Sequence, residues 1–262
     1  MRMLLFLSLI LNTLSLYSQE PENDPSLISL IQDTSDFPNI RNKIKDQTFF
    51  ISLDSNDLNA YIRRSVLEYQ INEFKACIAD NNQILRLMPG SADAYGNRGM
   101  CFCFLKKYPE ALSDLTKAIE LAPNVPMVYI NRAYAESEMK DYKAAISDLD
   151  KAISLNSSYA KAYANRGFNK SKLGLYAEAI DDYNKAIGFN PKYAEVYLNR
   201  GFAKLNMNDP EGALEDYSKA LQIQPAYAVP EFYKFRAQIY EKKGDQENAK
   251  RDYQKAESLK NK

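Results

Sequence analysis

Asn97-Arg98-Gly99, Asn131-Arg132-Ala133, Asn165-Arg166-Gly167 and Asn199-Arg200-Gly201 start at positions 97, 131, 165 and 199, a constant step of 34 residues. A motif returning at fixed period marks a repeat array, in which each unit is one supersecondary module. Extending the register outward gives units 58–91, 92–125, 126–159, 160–193 and 194–227, and a sixth, 230–262, after a two-residue slip at Ala228-Val229.

The same residue types return at the same places inside each unit. Position 4 is Tyr throughout: Tyr61, Tyr95, Tyr129, Tyr163, Tyr197 and Tyr233. Position 8 is small (Ser65, Gly99, Ala133, Gly167, Gly201, Ala237), and so is position 20 (Cys77, Ala111, Ala145, Ala179, Ala213, Ala249). Position 27 is Ala from Ala118 onward, with Ile84 the larger exception, and position 32 is Pro at Pro89, Pro123, Pro191 and Pro225. Each half-unit has helical apolar spacing, as in Ala111-Leu112, Leu115 and Ala118-Ile119. Small residues at positions 8 and 20 let two antiparallel helices approach, and the one at 27 lets the next unit stack. Pro at 32 ends the second helix, because it has no N–H to donate and crowds the turn before it. A lone helix pair cannot bury its apolar face, so neighbours must complete the core.

This pattern resembles the tetratricopeptide repeat family: bulky 4, small 8, aromatic 17 (Phe74, Tyr108, Tyr142, Tyr176), small 20, Tyr or Leu at 24, small 27 and Pro 32. The resemblance covers 58–262, over three quarters of the chain. Pro210 and Gln246 depart from it at position 17, and Ser157 and Asn261 at position 32. It implies an all-α fold, a right-handed α-solenoid superhelix of tandem helix-turn-helix repeats, with a binding role rather than an enzymatic one.

Outside the repeats, Arg2 opens a short basic start, Met3 to Leu11 is almost unbroken apolar, and polar residues follow from Asn12. That order reads as a secretory signal over 1–18, cut after Ser18, and too short for the roughly 20 apolar residues of a membrane span. The mature chain is therefore expected to be exported, periplasmic or at the cell surface or beyond, with no integral membrane span. Residues 19–57 read as a polar leader followed by a capping helix in which Ile40, Ile44, Phe49, Phe50 and Leu53 cover the end of the first unit. In the last unit, Lys250, Arg251, Gln254, Lys255 and Lys260 make a polar cap.

Charge is balanced at 34 basic and 34 acidic residues, interspersed, which argues against nucleic acid as a partner. There is no His, so the usual general base near neutral pH and the commonest metal ligand are missing. No phosphate loop, nucleophile elbow or metal-binding helix motif is present, and neither cofactor nor metal is expected. Cys101 and Cys103 lie two apart and point away from each other on a helix, and Cys77 stands where other units carry Ala. All three are expected as free thiols. Asn156-Ser157-Ser158 matches a glycosylation acceptor, a triplet that often arises by chance.

Arg at position 7 (Arg64, Arg98, Arg132, Arg166, Arg200, Arg236) is matched one for one by Asp at position 23 (Asp80, Asp114, Asp148, Asp182, Asp216, Asp252). Such ladders are expected to pair with each other rather than grip an acidic ligand. In the family the concave face is lined by first-helix positions 2, 5, 6, 9, 12 and 13. Here that places an amide row (Asn97, Asn131, Asn165, Asn199) beside Met100, Tyr134, Phe168 and Phe202, with Ile130 and Leu198 at position 5. A primary amide both donates and accepts, so such a row can satisfy an extended peptide backbone whatever its side chains. Aromatic neighbours add apolar anchor area. The Asn row also looks like that of O-linked N-acetylglucosamine transferases, though no transferase domain follows. The carboxylate clamp of chaperone-tail co-chaperones cannot be assembled, because position 9 is apolar in units one to five and Lys161 is the one basic residue at position 2. The expected partner is another protein or an extended peptide segment held in the groove. The alternative is an accessory part of an envelope enzyme or assembly that makes its contacts on the convex face. The sequence leaves the oligomeric state open.

Overall fold

The computed structural model describes residues 37–225 and 230–260, and among these there are thirteen helices and no strand. The expected signal and polar leader lie outside the described residues. The chain divides into two compact units between Ser157 and Ser158.

The first unit holds α1 (Phe37–Leu53), α2 (Leu58–Gln70), α3 (Phe74–Leu87), α4 (Ala92–Phe104), α5 (Tyr108–Leu121), α6 (Pro126–Glu138) and α7 (Tyr142–Leu155). The second holds α8 (Ala160–Lys172), α9 (Tyr176–Phe189), α10 (Ala194–Asn206), α11 (Pro210–Ile223), α12 (Pro230–Lys242) and α13 (Gln246–Lys260). Inside each unit every helix packs on the next, and the first helices of consecutive repeats also touch, α4 on α6 and α8 on α10. From α2 onward, first helices begin at repeat position 1 and second helices at position 17.

Local chemistry sets these bounds. Asp57, Ser91, Asp141 and Asp209 each accept from the backbone N–H three residues on, at 2.9 to 3.2 Å, satisfying a donor that the first turn leaves open. Pro126 and Pro210 open α6 and α11, where a missing N–H costs no helical bond. Between the helices of every pair, position 15 takes a left-handed backbone: Asn72, Lys106, Lys140, Gly174, Asn208 and Gly244 have φ between 58° and 79°. That residue reverses the chain, and the next N–H returns to a carbonyl of the helix just ended, as Lys107 does to Phe102 at 2.8 Å.

The small residues work as closest-approach points. In the first unit Cys77, Cys101, Ala111, Leu115, Ala118 and Ala135 share one buried cluster. In the second, Ala213, Tyr217 and Ala220 pack with Leu198, Phe232 and Ile239. Gly201 lies so near Tyr217 that a Cβ there would meet the ring at 2.8 Å.

Helix α1 corrects one expectation. Its covered stripe is Ile40, Ile44, Gln47 and Ile51, at helical spacing, whereas Phe49, Phe50 and Leu53 are 59%, 45% and 69% exposed. A 17-residue helix can turn only one stripe inward, and the steps of three and four that start at Ile40 bypass those three side chains.

Candidate functional site

The expected partner-binding residues all lie on first helices: Asn97 and Met100 on α4, Ile130, Asn131 and Tyr134 on α6, Asn165 and Phe168 on α8, and Leu198, Asn199 and Phe202 on α10. Positions 6 and 9 are three apart, so amide and aromatic share a helix face within each repeat. Contacts α4–α6 and α8–α10 then place two such pairs side by side in each unit.

Burial separates these residues. Ile130 is 1% and Leu198 3% exposed, and Met100 is buried in the first unit's core cluster. Ile130 and Leu198 present no anchor area, which removes them from the candidate surface, whereas Met100 keeps a narrow 9% exposed edge. The reason is geometric: position 5 turns toward packed helices, and Leu198 joins Ala213 and Tyr217 in the second unit's core. Tyr134, Phe168 and Phe202 are half-buried, as are Asn97 and Asn165, while Asn131 and Asn199 are mostly covered.

Among the described residues, none hydrogen-bonds the side-chain amides of Asn97, Asn131, Asn165 and Asn199, and none of those amide atoms is sealed from solvent. Other asparagines in the chain behave differently. Asn169 donates to the Asn165 carbonyl at 2.8 Å, Asn206 to the Phe202 carbonyl at 2.8 Å, and Asn81 to the Cys77 carbonyl at 2.8 Å. Position 6 amides thus keep both donor and acceptor capacity open. Beside them, Lys172 Nζ sits 4.7 Å from the Phe168 ring centre, and Tyr176 meets the Phe202 ring edge-on at 6.4 Å.

The charge ladders close on themselves. All six Arg–Asp pairs form with two hydrogen bonds apiece, from Arg64 Nε and Nη2 to Asp80 at 2.8 and 2.7 Å through to Arg236 and Asp252 at 2.6 and 2.8 Å. The fork of guanidinium donors matches a carboxylate bidentately, so each pair fixes the angle between the two helices of its repeat. The guanidiniums of Arg64, Arg98, Arg166, Arg200 and Arg236 also lie 5.3 to 5.7 Å from the position 4 Tyr ring of the same repeat. These arginines are consumed inside the fold.

One recurring feature escapes a reading by residue type. At position 11 the first unit has Glu68 and Glu136, while the second has Lys170 and Lys204. Lys170 and Lys204 reach Asp182 and Asp216 at 2.9 and 3.0 Å. Glu68 and Glu136 instead bring a second carboxylate to the pair. Burial, then the charge of Asp80, pushes the Glu68 carboxyl up to about 8, and burial, then Asp148, pushes Glu136 up to about 7. The signal was available: a charge of opposite sign at one repeat position, one helical turn beyond the Arg of position 7.

No described helix is long and apolar enough to cross a membrane, and no group of three or more potential metal ligands gathers among the described residues.

Tandem helix pairs with self-paired charges and open amides on the first helices define a helical repeat protein. Tetratricopeptide repeat families match at 92–125 and 194–227, at 128–159 and 230–262, and at 171–208. The chain belongs to the tetratricopeptide repeat family, whose members are in general non-catalytic scaffolds that bind peptides or proteins. No curated protein matches the chain. Solved structures resemble it in fold. YrrB, described as a TPR protein with an unusual peptide-binding site, is 24% identical with a TM-score of 0.54, covering 68% of this chain and 92% of its own. A tetratricopeptide repeat protein from Parabacteroides merdae is 18% identical with a TM-score of 0.66, covering 90% and 94%. The APC/C hetero-tetramer Cut9–Hcn1 gives 13% identity and a TM-score of 0.71, covering 98% of this chain and 50% of that one.

Proposed function

We propose that this protein is an exported interaction scaffold that holds an extended segment of another polypeptide along the first-helix face of its repeats. The observation carrying this reading is the set of position 6 side-chain amides with no partner among the described residues, next to half-buried aromatic rings at position 9. Amides left open in two successive repeats of each unit suit a ligand that brings its own backbone N–H and C=O groups. The working residues are Asn97 and Asn131 with Tyr134 in the first unit, and Asn165 and Asn199 with Phe168 and Phe202 in the second. Export rests on the apolar run after Arg2. That YrrB is described as having a peptide-binding site on a similar fold supports the same ligand class.

Selection of a displayed random peptide library on the full chain tests this. Enriched peptides are expected to lose about tenfold or more in affinity on Phe202→Ala or Phe168→Ala, the change of a binding hot spot. Asn165→Ala should weaken peptides of unrelated sequence alike, because it would remove a backbone contact. Affinities unchanged by all three substitutions would move the binding site to another face.

A further inference from the structure

Cys77 and Cys101 meet where the first two repeats join. Cys77 lies on α3 and Cys101 on α4, consecutive helices in contact. Their sulfurs are 2.9 Å apart, and the side chains are 1% and 0% exposed. A disulfide needs sulfurs at about 2.05 Å, so closing the pair takes a movement of roughly 0.9 Å. The repeat register gives an independent reason for the closeness. Position 20 of one repeat faces position 10 of the next, and at two other junctions those places hold Ala111 with Ala135, and Ala179 with Ala203, while Asn169 and Ile239 stand at position 10 of repeats four and six. All four alanines are fully buried, so backbones approach there with room for little more than a Cβ. At the first junction both places hold cysteine. Cys103 is buried two residues further along α4, on the other side of that helix.

We infer that Cys77 and Cys101 are a disulfide-forming pair, a covalent staple between repeats one and two, with Cys103 left as the free thiol. The oxidant is a disulfide of the thiol–disulfide exchange class, such as oxidised glutathione. One cysteine thiolate attacks it, forming a mixed disulfide and releasing one thiol. The second cysteine attacks that intermediate, forming the Cys77–Cys101 bond and releasing the other thiol. Two electrons pass to the oxidant, and the two cysteine protons end on the released thiols. The folded chain shuts both sulfurs away, so exchange takes place before α3 and α4 close or when they part, and closure then shields the bond from reductant. The Cys101 thiol is held far above its ordinary range by its hydrogen bond to Cys77 and by burial, so the pair is not a reactive surface thiol. Burial also pushes the Cys103 thiol up to about 12. The inference stands apart from what the first-helix face binds.

The full chain, unfolded in denaturant and refolded in a glutathione buffer rich in the oxidised form, provides the test. Alkylation under denaturing conditions is expected to modify one thiol, in the peptide carrying Cys103, while peptides carrying Cys77 and Cys101 run linked until reduced. Cys103→Ala should leave that link intact. The oxidised chain should melt several degrees above the reduced one, since a cross-link restricts the unfolded chain. Cys77→Ala and Cys101→Ala should abolish that gap while still folding, because alanine fills these places at two other junctions. Three alkylatable thiols, glutathione adducts in place of the link, a bond involving Cys103, or a gap that persists in Cys77→Ala would each overturn the inference.

Discussion

Arg200 holds Asp216 through two hydrogen bonds of 2.9 and 2.6 Å, and Lys204 closes on the same carboxylate at 3.0 Å. The matching place in repeats one and three holds Glu68 and Glu136, each with a buried oxygen that has no hydrogen-bond partner among the described residues. A carboxyl whose folded-state pKa lies above its unfolded value takes up its proton more readily when folded. It therefore contributes stability that is present below about 4.5 and lost as pH rises through about 7 for Glu136 and about 8 for Glu68. The first unit should lose stability between pH 5 and pH 9, and Glu68→Gln should flatten that slope and stabilise the chain by ~1–3 kcal/mol at pH 9, where an ionised oxygen would otherwise lack a partner. Urea unfolding across that pH range checks it. A slope unchanged by Glu68→Gln and Glu136→Gln together would show that neither carboxyl holds its proton.

Position 15 reverses the chain with a left-handed backbone in every repeat, yet Lys106 and Lys140 stand there at φ 58° and 67° while Gly174 and Gly244 meet the same need without a Cβ. A side chain in that conformation costs about 1–2 kcal/mol. Lys140→Gly should accordingly raise stability by ~1 kcal/mol, and Gly174→Lys should lower it by a similar amount. Thermal unfolding of the two variants should shift in opposite directions.

What the sequence made legible was whatever six repeats say in unison. Tyr at position 4, the Arg–Asp ladders and the small residues at 8 and 20 reinforce one another, so helix pairing and the closed ion pairs could be inferred from residue type and spacing alone. Features that differ between repeats were harder to read. Glu68 and Lys170 share a register yet reverse the sign of the charge beside the buried Asp. Phe49, Phe50 and Leu53 look apolar enough to be covered, but which stripe of α1 turns inward depends on the helix it meets. Ile130 and Leu198 were expected on the binding face for the same reason, since position 5 sits at the border between open face and helix contact. The meeting of Cys77 with Cys101 depends on the rotation between repeats, which no spacing within one helix reveals.

Tyr183 and Tyr217 occupy the same repeat position, and both are completely buried. Tyr183 Oη lies 3.3 Å from Ser171 Oγ, whereas Tyr217 Oη has no partner among the described residues, because Leu205 stands where Ser171 does one repeat earlier. A buried hydroxyl without a partner forfeits its hydration for no return. Tyr217→Phe should leave stability unchanged or raise it by ~1 kcal/mol, and Tyr183→Phe should lower it by ~0.5–1.5 kcal/mol. Chemical denaturation that ranks the two the other way would contradict this assignment of the hydroxyls.

Gly201 and Gly96 are both glycines inside first helices, and their surroundings give opposite expectations. A Cβ on Gly201 would sit 2.8 Å from Tyr217 Cε1 and 3.2 Å from the Ala213 carbonyl oxygen, while one on Gly96 meets nothing within 4 Å. Tyr217 is fully enclosed and cannot swing away, so α10 and α11 would have to part. Gly201→Ala should destabilise by ~1–3 kcal/mol, as overpacking does. Gly96→Ala relieves the helix of its most flexible backbone and should stabilise by ~0.5–1 kcal/mol. Amide exchange locates the effect: protection lost on Gly201→Ala should concentrate in α10 and α11, because the clash separates those two helices before any other pair.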